Sequence, residues 1–325
     1  TITSVRMGTL VTAVYPYPDG TDPITELAFV ACTDVRERGR VGLVATLSDG
    51  STYDVVEYGV FTASDTSTVG IDPVDQHLIP IKPGTIDVQG TWHGYATQTS
   101  ALSVTNNRKH VSHIEHTTVW QTSDSLVGLP GTQKPLAVRV TLEDSTVYED
   151  IIAGIDFLEP ETLLGFSSGA PDKVDVNEFG VAELLGNYHK PVELLATTIC
   201  PGSSGASLPP GAPVTGSDFV APNLEPVLGD VDLGNVYGLQ FPPLDFGETL
   251  EIPVRVNSDG AFLYTFQIQI SLDVSNLDVV SCTQGSDWNG LFDCAINDPP
   301  EFVLFSGSSL TSTASGPDVH IGSFT

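Results

Sequence analysis

The chain has 325 residues, with 12 Lys and Arg against 41 Asp and Glu and a formal net charge of −29. Such a surface repels nucleic acid and anionic lipid, which excludes both as partners, and it suits high solubility, divalent cations or a basic partner. Hydrophobic residues make up 40%, enough for packed cores; Gly, Pro, Ser, Thr and Val abound, and no apolar run reaches the about 18 residues of a membrane span, so short strands joined by turns are expected.

In chain order, residues 1–14 read as one or two opening strands, broken by Tyr15-Pro-Tyr-Pro-Asp-Gly20. Thr1 in place of a starting Met, and a last segment that stops inside strand-like sequence, read as a piece of a longer chain. Residues 15–39 read as an insertion carried on a loop. They hold Cys32 and the chain's one dense basic group, Arg36, Arg38 and Arg40, candidate contacts for an acidic neighbour or simple local charge balance. Val44-Ala-Thr-Leu-Ser-Asp-Gly-Ser-Thr-Tyr-Asp-Val-Val56 follows as strand, tight turn and strand, with Asp49-Gly50 at the bend. The same phrase returns 95 residues later at 138–152, where Tyr148 matches Tyr53.

Further matches extend the repeat. Gly165-Phe-Ser-Ser168 answers the segment around Phe61, Lys173–Asn177 answers Val69-Gly-Ile-Asp72, and Val192-Glu-Leu194 answers Ile86-Asp-Val88. The offset grows to 105–106 because one insertion, 154–164, lies between the matched segments. The run Ser-Asp-Gly-Ser, Tyr-Asp-Val, Phe61-Thr-Ala-Ser-Asp65, Val-x-Ile-Asp and Pro83-Gly-Thr-Ile-x-Val88 resembles bacterial Ig-like repeats of group 2. That resemblance implies small β-sandwich modules of adhesins and surface proteins. The second copy departs from it at Glu143-Asp144-Ser145, which lacks the turn glycine, and at His189-Lys190-Pro191, which leaves its turn types open.

Pro201 to Gly216 is low in complexity and reads as an extended linker. Beyond it, Thr249–Val256 is a strand, Asn257-Ser-Asp-Gly260 a turn, and 261–275 a long strand with Phe262, Tyr264, Phe266, Ile268, Ile270, Leu272 and Val274 on one face. With Leu277-Asp-Val-Val280, Leu304-Phe-Ser-Gly307 and Ile321-Gly-Ser-Phe324, this order resembles cohesin-like jelly-roll sandwiches, a pattern expected to continue past Thr325. The expected organisation is all-β: an Ig-like sandwich at 1–108 with the 15–39 insertion, a second at 109–200, a Pro/Ser/Gly-rich linker at 201–224, and a cohesin-like sandwich at 225–325.

Candidate chemistry is sparse. Cys282 and Cys294 bracket a short loop and are a plausible disulfide, which implies an oxidising, extracellular setting; Cys32 and Cys200 pair with each other, with residues elsewhere, or not at all. Trp288, inside that loop, is a candidate exposed contact, the alternative being packing over the disulfide. Asp230, Asp232 and Asn235 place oxygen ligands close together and are candidates for Ca²⁺, without the downstream bidentate Glu of a full loop. His110, His113 and His116 scatter over both faces if extended. No nucleophile-elbow or phosphate-loop context occurs, so no enzyme and no cofactor beyond that Ca²⁺ candidate is expected. The modules together resemble extracellular surface filaments such as mastigoneme glycoproteins. The resemblance implies a structural subunit whose partners are copies of itself and a Pro-rich glycoprotein, with no direct membrane insertion. The rival expectation is an adhesin or receptor module for a carbohydrate or protein.

Overall fold

The computed structural model describes residues 2–10, 25–72, 74, 76–97, 99–116, 125–153, 159–199, 212–273, 277–297 and 302–325. The first sandwich contains β1 (Ile2–Leu10), β2 (Glu26–Val30), β3 (Gly39–Leu47), β4 (Thr52–Asp54), β5 (Val60–Ala63), β6 (Val69–Ile71), β7 (His77–Pro80), β8 (Gly84–Trp92), β9 (Tyr95–Ala96) and β10 (Ser100–Lys109). One sheet runs β1-β3-β7-β6 with β4 on β3; the other runs β2-β10-β8-β5 with β9 on β8. Period-two alternation sends Val41, Leu43 and Ala45 of β3 inward against Ile86, Val88, Leu102 and Val104.

The second sandwich contains β11 (Val111–His116), β12 (Ser125–Gly128), β13 (Gln133–Pro135), β14 (Val138–Leu142), β15 (Val147–Tyr148), one helical turn α1 (Pro160–Leu163), β16 (Leu164–Ser168), β17 (Val174–Val176), β18 (Val181–Leu184), β19 (Val192–Thr198) and β20 (Thr215–Leu224). Its order β12-β20-β19-β16 repeats β2-β10-β8-β5, including the parallel pairing of β12 with β20 that mirrors β2 with β10. A contiguous apolar core runs from Leu27 to Val220 through both sandwiches. The repeat read from the sequence is therefore a repeat of topology.

Two boundaries differ from the sequence reading. Glu26–Val30, expected within a loop insertion, is a core strand whose Leu27, Ala28 and Val30 are fully buried; residues 11–24 lie outside the described set. Thr215–Leu224, expected in the linker, is β20, paired with β19 from Thr215 to Val220 and with β12 from Ala221 to Leu224. Gly216, which read as linker, is a packing glycine: a Cβ there would lie 2.6 Å from Ile114 Cγ2. The stretch 201–211 lies outside the described residues.

The third sandwich packs β21 (Val231–Leu233), β22 (Ile252–Val256), β24 (Cys282–Gln284) and β27 (Val319–Phe324), in the order β21-β22-β27-β24, against β23 (Thr265–Ser271), β25 (Leu291–Ile296) and β26 (Phe302–Ser308), in the order β23-β26-β25. Phe305, fully buried, sits between Phe292 and Phe324 at ring distances of 5.9 and 6.3 Å. The long strand expected at 261–275 is shorter. Phe266, Ile268 and Ile270 point inward as read, but the turn at Asp259-Gly260, both with positive φ, shifts the phase before Thr265. Leu263 packs inward, and Phe262 and Tyr264 are left exposed.

Candidate functional site

The polar chemistry of this chain gathers where one sandwich meets the next. At the first joint a single residue, His110, separates β10 from β11, and Glu143 N–H donates to its carbonyl at 2.9 Å. Lys109 Nζ reaches back to Glu26 Oε2 at 3.2 Å and forward to Asp144 Oδ2 at 3.6 Å, bridging the two sandwiches. Burial opposes the charge on Lys109, but its hydrogen bond to Glu26 and the fields of Asp144, Glu26 and Glu37 outweigh that and raise its pKa. Hydrogen bonds, first from Thr105, lower the pKa of Glu26.

Glu37 lies between these groups and is wholly buried. The chain reverses after Cys32, which has φ 75°, and a bridge between Phe29 and Arg36 lays Glu37 against β2. Its amide donates to Ala28 O at 2.8 Å and its Oε2 accepts from Ala28 N–H at 3.0 Å, and the Thr146 side chain of the second sandwich also favours its charged form. Burial, reinforced by Asp144, pushes its pKa up to about 7 against the opposing Ala28 amide and Lys109. Tyr148 closes the joint from the second sandwich and is 4% exposed; burial, then Glu37 and Asp144, push its pKa well up. Its sequence match Tyr53 is 55% exposed, because nothing described covers the equivalent hairpin of the first sandwich.

The second joint uses neutral polar groups. Asn223 is buried, and its Nδ2 donates to Asn235 O at 2.6 Å; Gly238 N–H donates to Ser125 Oγ at 2.5 Å; Leu224 N–H donates to Asn187 Oδ1 at 2.6 Å. The Asn235 carbonyl is thus a contact of this joint, and its side-chain Nδ2 donates to Leu239 O at 3.2 Å. Asp232, the second Ca²⁺ candidate, is consumed by an internal ion pair with the buried Arg255 and accepts from Gln240 Nε2 at 2.9 Å. Arg255 also donates to Gly234 O at 2.6 Å and pairs with Asp318 at 2.6 Å. Burial raises the Asp232 pKa, opposed by Arg255. Asp230 is exposed and contributes backbone hydrogen bonds. Among the described residues no group of three or more His, Cys, Asp or Glu side chains is placed to hold a metal ion.

Trp288, expected to be exposed, is 2% exposed and belongs to the third core. It stands edge-on to Phe266 at 4.9 Å and its Nε1 donates to Leu291 O at 2.9 Å, so a polar loop position became a core position once the indole N–H found a carbonyl. Cys282 and Cys294 form a disulfide that staples β24 of one sheet to β25 of the other. Cys294→Ser is expected to cost the third sandwich about 3 kcal/mol for the loop of separation 12, measured by denaturant unfolding under non-reducing conditions. Cys32 is also disulfide-bonded; Cys200 lies outside the described residues.

The arginines form a surface beside the first joint. The Arg36 guanidinium lies over the Phe29 ring at 4.1 Å and donates to Asn106 Oδ1 at 2.9 Å. Arg108 lies 5.5 Å from the same ring, donates to Thr33 O at 3.0 Å, and approaches the exposed Asp34 at 3.7 Å. Arg38 and Arg40 are half-buried on the approach to and start of β3. His113 is exposed and His116 buried, on opposite faces of β11, and burial lowers the His116 pKa. The sequence reading singled out none of Glu26, Glu37, Lys109 or Phe29. An acid set between Arg36 and Arg38 was the one local sign of the joint.

No family model and no curated protein matches the chain. Among solved structures it is similar to surface-layer protein SbsC, domains 1–6, at 11% identity and a TM-score of 0.31, covering 96% of this chain and 37% of that one. It is also similar to the C-terminal fragment of intimin in complex with the intimin-binding domain of its translocated receptor (11% identity, 70% of this chain and 66% of that one, TM-score 0.19) and to mouse cadherin-23 EC22–24 (12%, 71% and 69%, TM-score 0.21). The chain spans about a third of the SbsC fragment. Similarities this distant describe the all-β sandwich class and carry no functional argument.

Proposed function

We propose that this chain is a non-enzymatic structural subunit of an extracellular filament or surface appendage, of the mastigoneme-like type, with a third sandwich of cohesin-like kind. The observation that carries the reading is the first joint. A one-residue connection, a lysine bridging carboxylates of both sandwiches and an apolar core continuous across them hold two modules in one orientation, which suits a load-bearing rod and serves no catalytic purpose. Two further features support an oxidising exterior: the disulfide at Cys282–Cys294 and the disulfide-bonded state of Cys32. Copies of the chain are the primary partner, with a Pro-rich glycoprotein as the second.

Electron microscopy of native material tests this. Polymers whose repeating density accommodates three sandwiches in line are expected; isolated monomers with no polymer would count against it. An adhesin or receptor is the second reading. It is favoured by the exposed pair Phe262 and Tyr264, in edge contact at 6.5 Å, with the exposed Leu310 following Ser309, whose N–H donates to Tyr264 O at 2.8 Å. Saturable binding of a soluble carbohydrate or protein that Phe262→Ser abolishes would favour it over the filament.

A further inference from the structure

The hairpin turns Leu47–Tyr53 and Leu142–Tyr148 are one structure in two settings. Leu47 N–H donates to Ser51 O at 2.9 Å, and Leu142 N–H donates to Thr146 O at 2.8 Å. Asp49 Oδ1 accepts from Ser51 N–H at 3.0 Å, and Asp144 Oδ1 accepts from Thr146 N–H at 3.0 Å. Gly50 and Ser145 both sit at positive φ, 86° and 72°. In each turn one carboxylate oxygen is spent on the turn and the other is left for a neighbour. Asp144 Oδ2 receives Lys109 from the first sandwich, and Tyr148 is buried beside it. Asp49 Oδ2 receives no hydrogen bond or ion pair among the described residues, and Tyr53 stands in solvent. The second sandwich therefore displays what this turn is built to meet: a cation at the end of a β-sandwich.

A matching surface lies at the other end of the first sandwich. β3 runs nine residues, about 30 Å, from Gly39 beside Glu37 to Leu47 at the turn. Arg36 and Arg108, at the Glu37 end, share the Phe29 ring. Arg36 makes no ion pair among the described residues of a chain that holds 41 carboxylates; Asn106 and the Thr105 carbonyl hold its guanidinium in place. A pre-positioned guanidinium on an aromatic face suits a carboxylate together with a second aromatic ring. It lies on the same end that already accepts the chain's own turn at Lys109.

We propose that the bare turn of one copy, through Asp49 and Tyr53, docks on the Phe29–Arg36–Arg108 surface of a second copy. The two patches differ and sit at opposite ends of the sandwich, so the contact is heterologous and propagates into an open chain rather than closing as a symmetric dimer. The net charge of −29 repels copies at long range, and salt near physiological strength screens that repulsion within about 8 Å while the desolvated pair persists. This inference rests on the self-assembling reading above and names its contact.

The test is sedimentation velocity of the full chain over about 1–100 μM, the range of a contact of transient size. Asp49→Asn keeps the Oδ1 acceptor that shapes the turn and removes the charge; Tyr53→Ser is added to it, and Arg36→Glu reverses the other surface. Circular dichroism and melting confirm that the variants fold. Wild type is expected to gain mass with concentration, and each variant to associate at least about tenfold more weakly. An equal mixture of the two variants retains one intact turn and one intact arginine surface, so it is expected to recover dimers and stop there. Association of wild type that neither variant weakens, or a mixture that stays monomeric, overturns this contact and leaves self-assembly standing. Wild type that stays monomeric throughout overturns both.

Discussion

Arg255→Met is expected to destabilise the third sandwich by about 3–5 kcal/mol, the cost of leaving a buried carboxylate without its partner. Arg255 and Asp232 are both almost wholly buried, and burial already raises the Asp232 pKa despite the guanidinium beside it. Removing the guanidinium leaves burial and the field of Asp318 opposed only by the Gln240 hydrogen bond, and the carboxyl regains stability by taking up a proton. The variant is therefore expected to recover part of the loss as pH falls toward 5. Arg255→Met with Asp232→Asn removes both charges and is expected to unfold closer to wild type than the single variant, because Asn still accepts from Gln240. Denaturant unfolding of the three proteins measures this. A double variant no more stable than Arg255→Met would show that the ion pair is not what the site depends on. The same experiment separates an internal ion pair from a cation site, since Ca²⁺ is expected to leave the wild-type transition unmoved.

Glu37→Gln is expected to change how the first joint responds to pH. The folded-state pKa of Glu37 is about 7 against an ordinary 4.5. A carboxyl raised in this way contributes its stability fully below the unfolded value and loses it as pH rises through the folded value. The loss amounts to about 3 kcal/mol between pH 4.5 and 7. Glu26 and His116 have lowered pKa values, so their contributions decline on acidification and run against Glu37, and the pH profile of wild type alone is mixed. The difference between wild type and Glu37→Gln isolates the joint. The variant should gain about 3 kcal/mol relative to wild type on going from pH 4.5 to pH 8, read from the transition that unfolds the two sandwiches sharing one core. A difference that is flat with pH would mean that Glu37 is solvated and that the joint is open.

Much of the architecture was legible from periodicity. The repeated hairpin phrase at 44–56 and 138–152, the Asp49-Gly50 turn and the matched segments at Phe61 and Phe166 placed two copies of one sandwich, and the structure repeats the order of one sheet, β2-β10-β8-β5 as β12-β20-β19-β16, while the sheet β1-β3-β7-β6 is answered by two smaller ones, β11-β14-β15 and β13-β18-β17. Period-two patterning encodes which face of a strand is buried, and that information is local. The misreadings share a cause. Gly216 and Pro222 gave β20 the composition of a linker, yet the glycine is there to admit Ile114. Glu26 and the arginines gave β2 the look of a polar insertion, although Leu27 and Val30 are core. Asp232 looked like a ligand because sequence shows a carboxylate and hides Arg255, which stands 23 residues away and beside it in space.

The sequence by itself determined the all-β class, the tandem repeat and the pairing of Cys282 with Cys294 as a local closure, because strand period, turn chemistry and short loops are properties of neighbouring residues. Only the tertiary structure decided the use of each polar group. Two hairpins with the same turn shape and the same tyrosine have opposite fates, Tyr148 buried near Glu37 and Asp144 and Tyr53 left in solvent. They differ within the turn, Ser48 and Gly50 against Glu143 and Ser145, yet both take the same turn shape, so the turn itself does not set the exposure of the tyrosine. What differs is whether another module's end lies against the turn, and burial and charge pairing depend on that long-range contact.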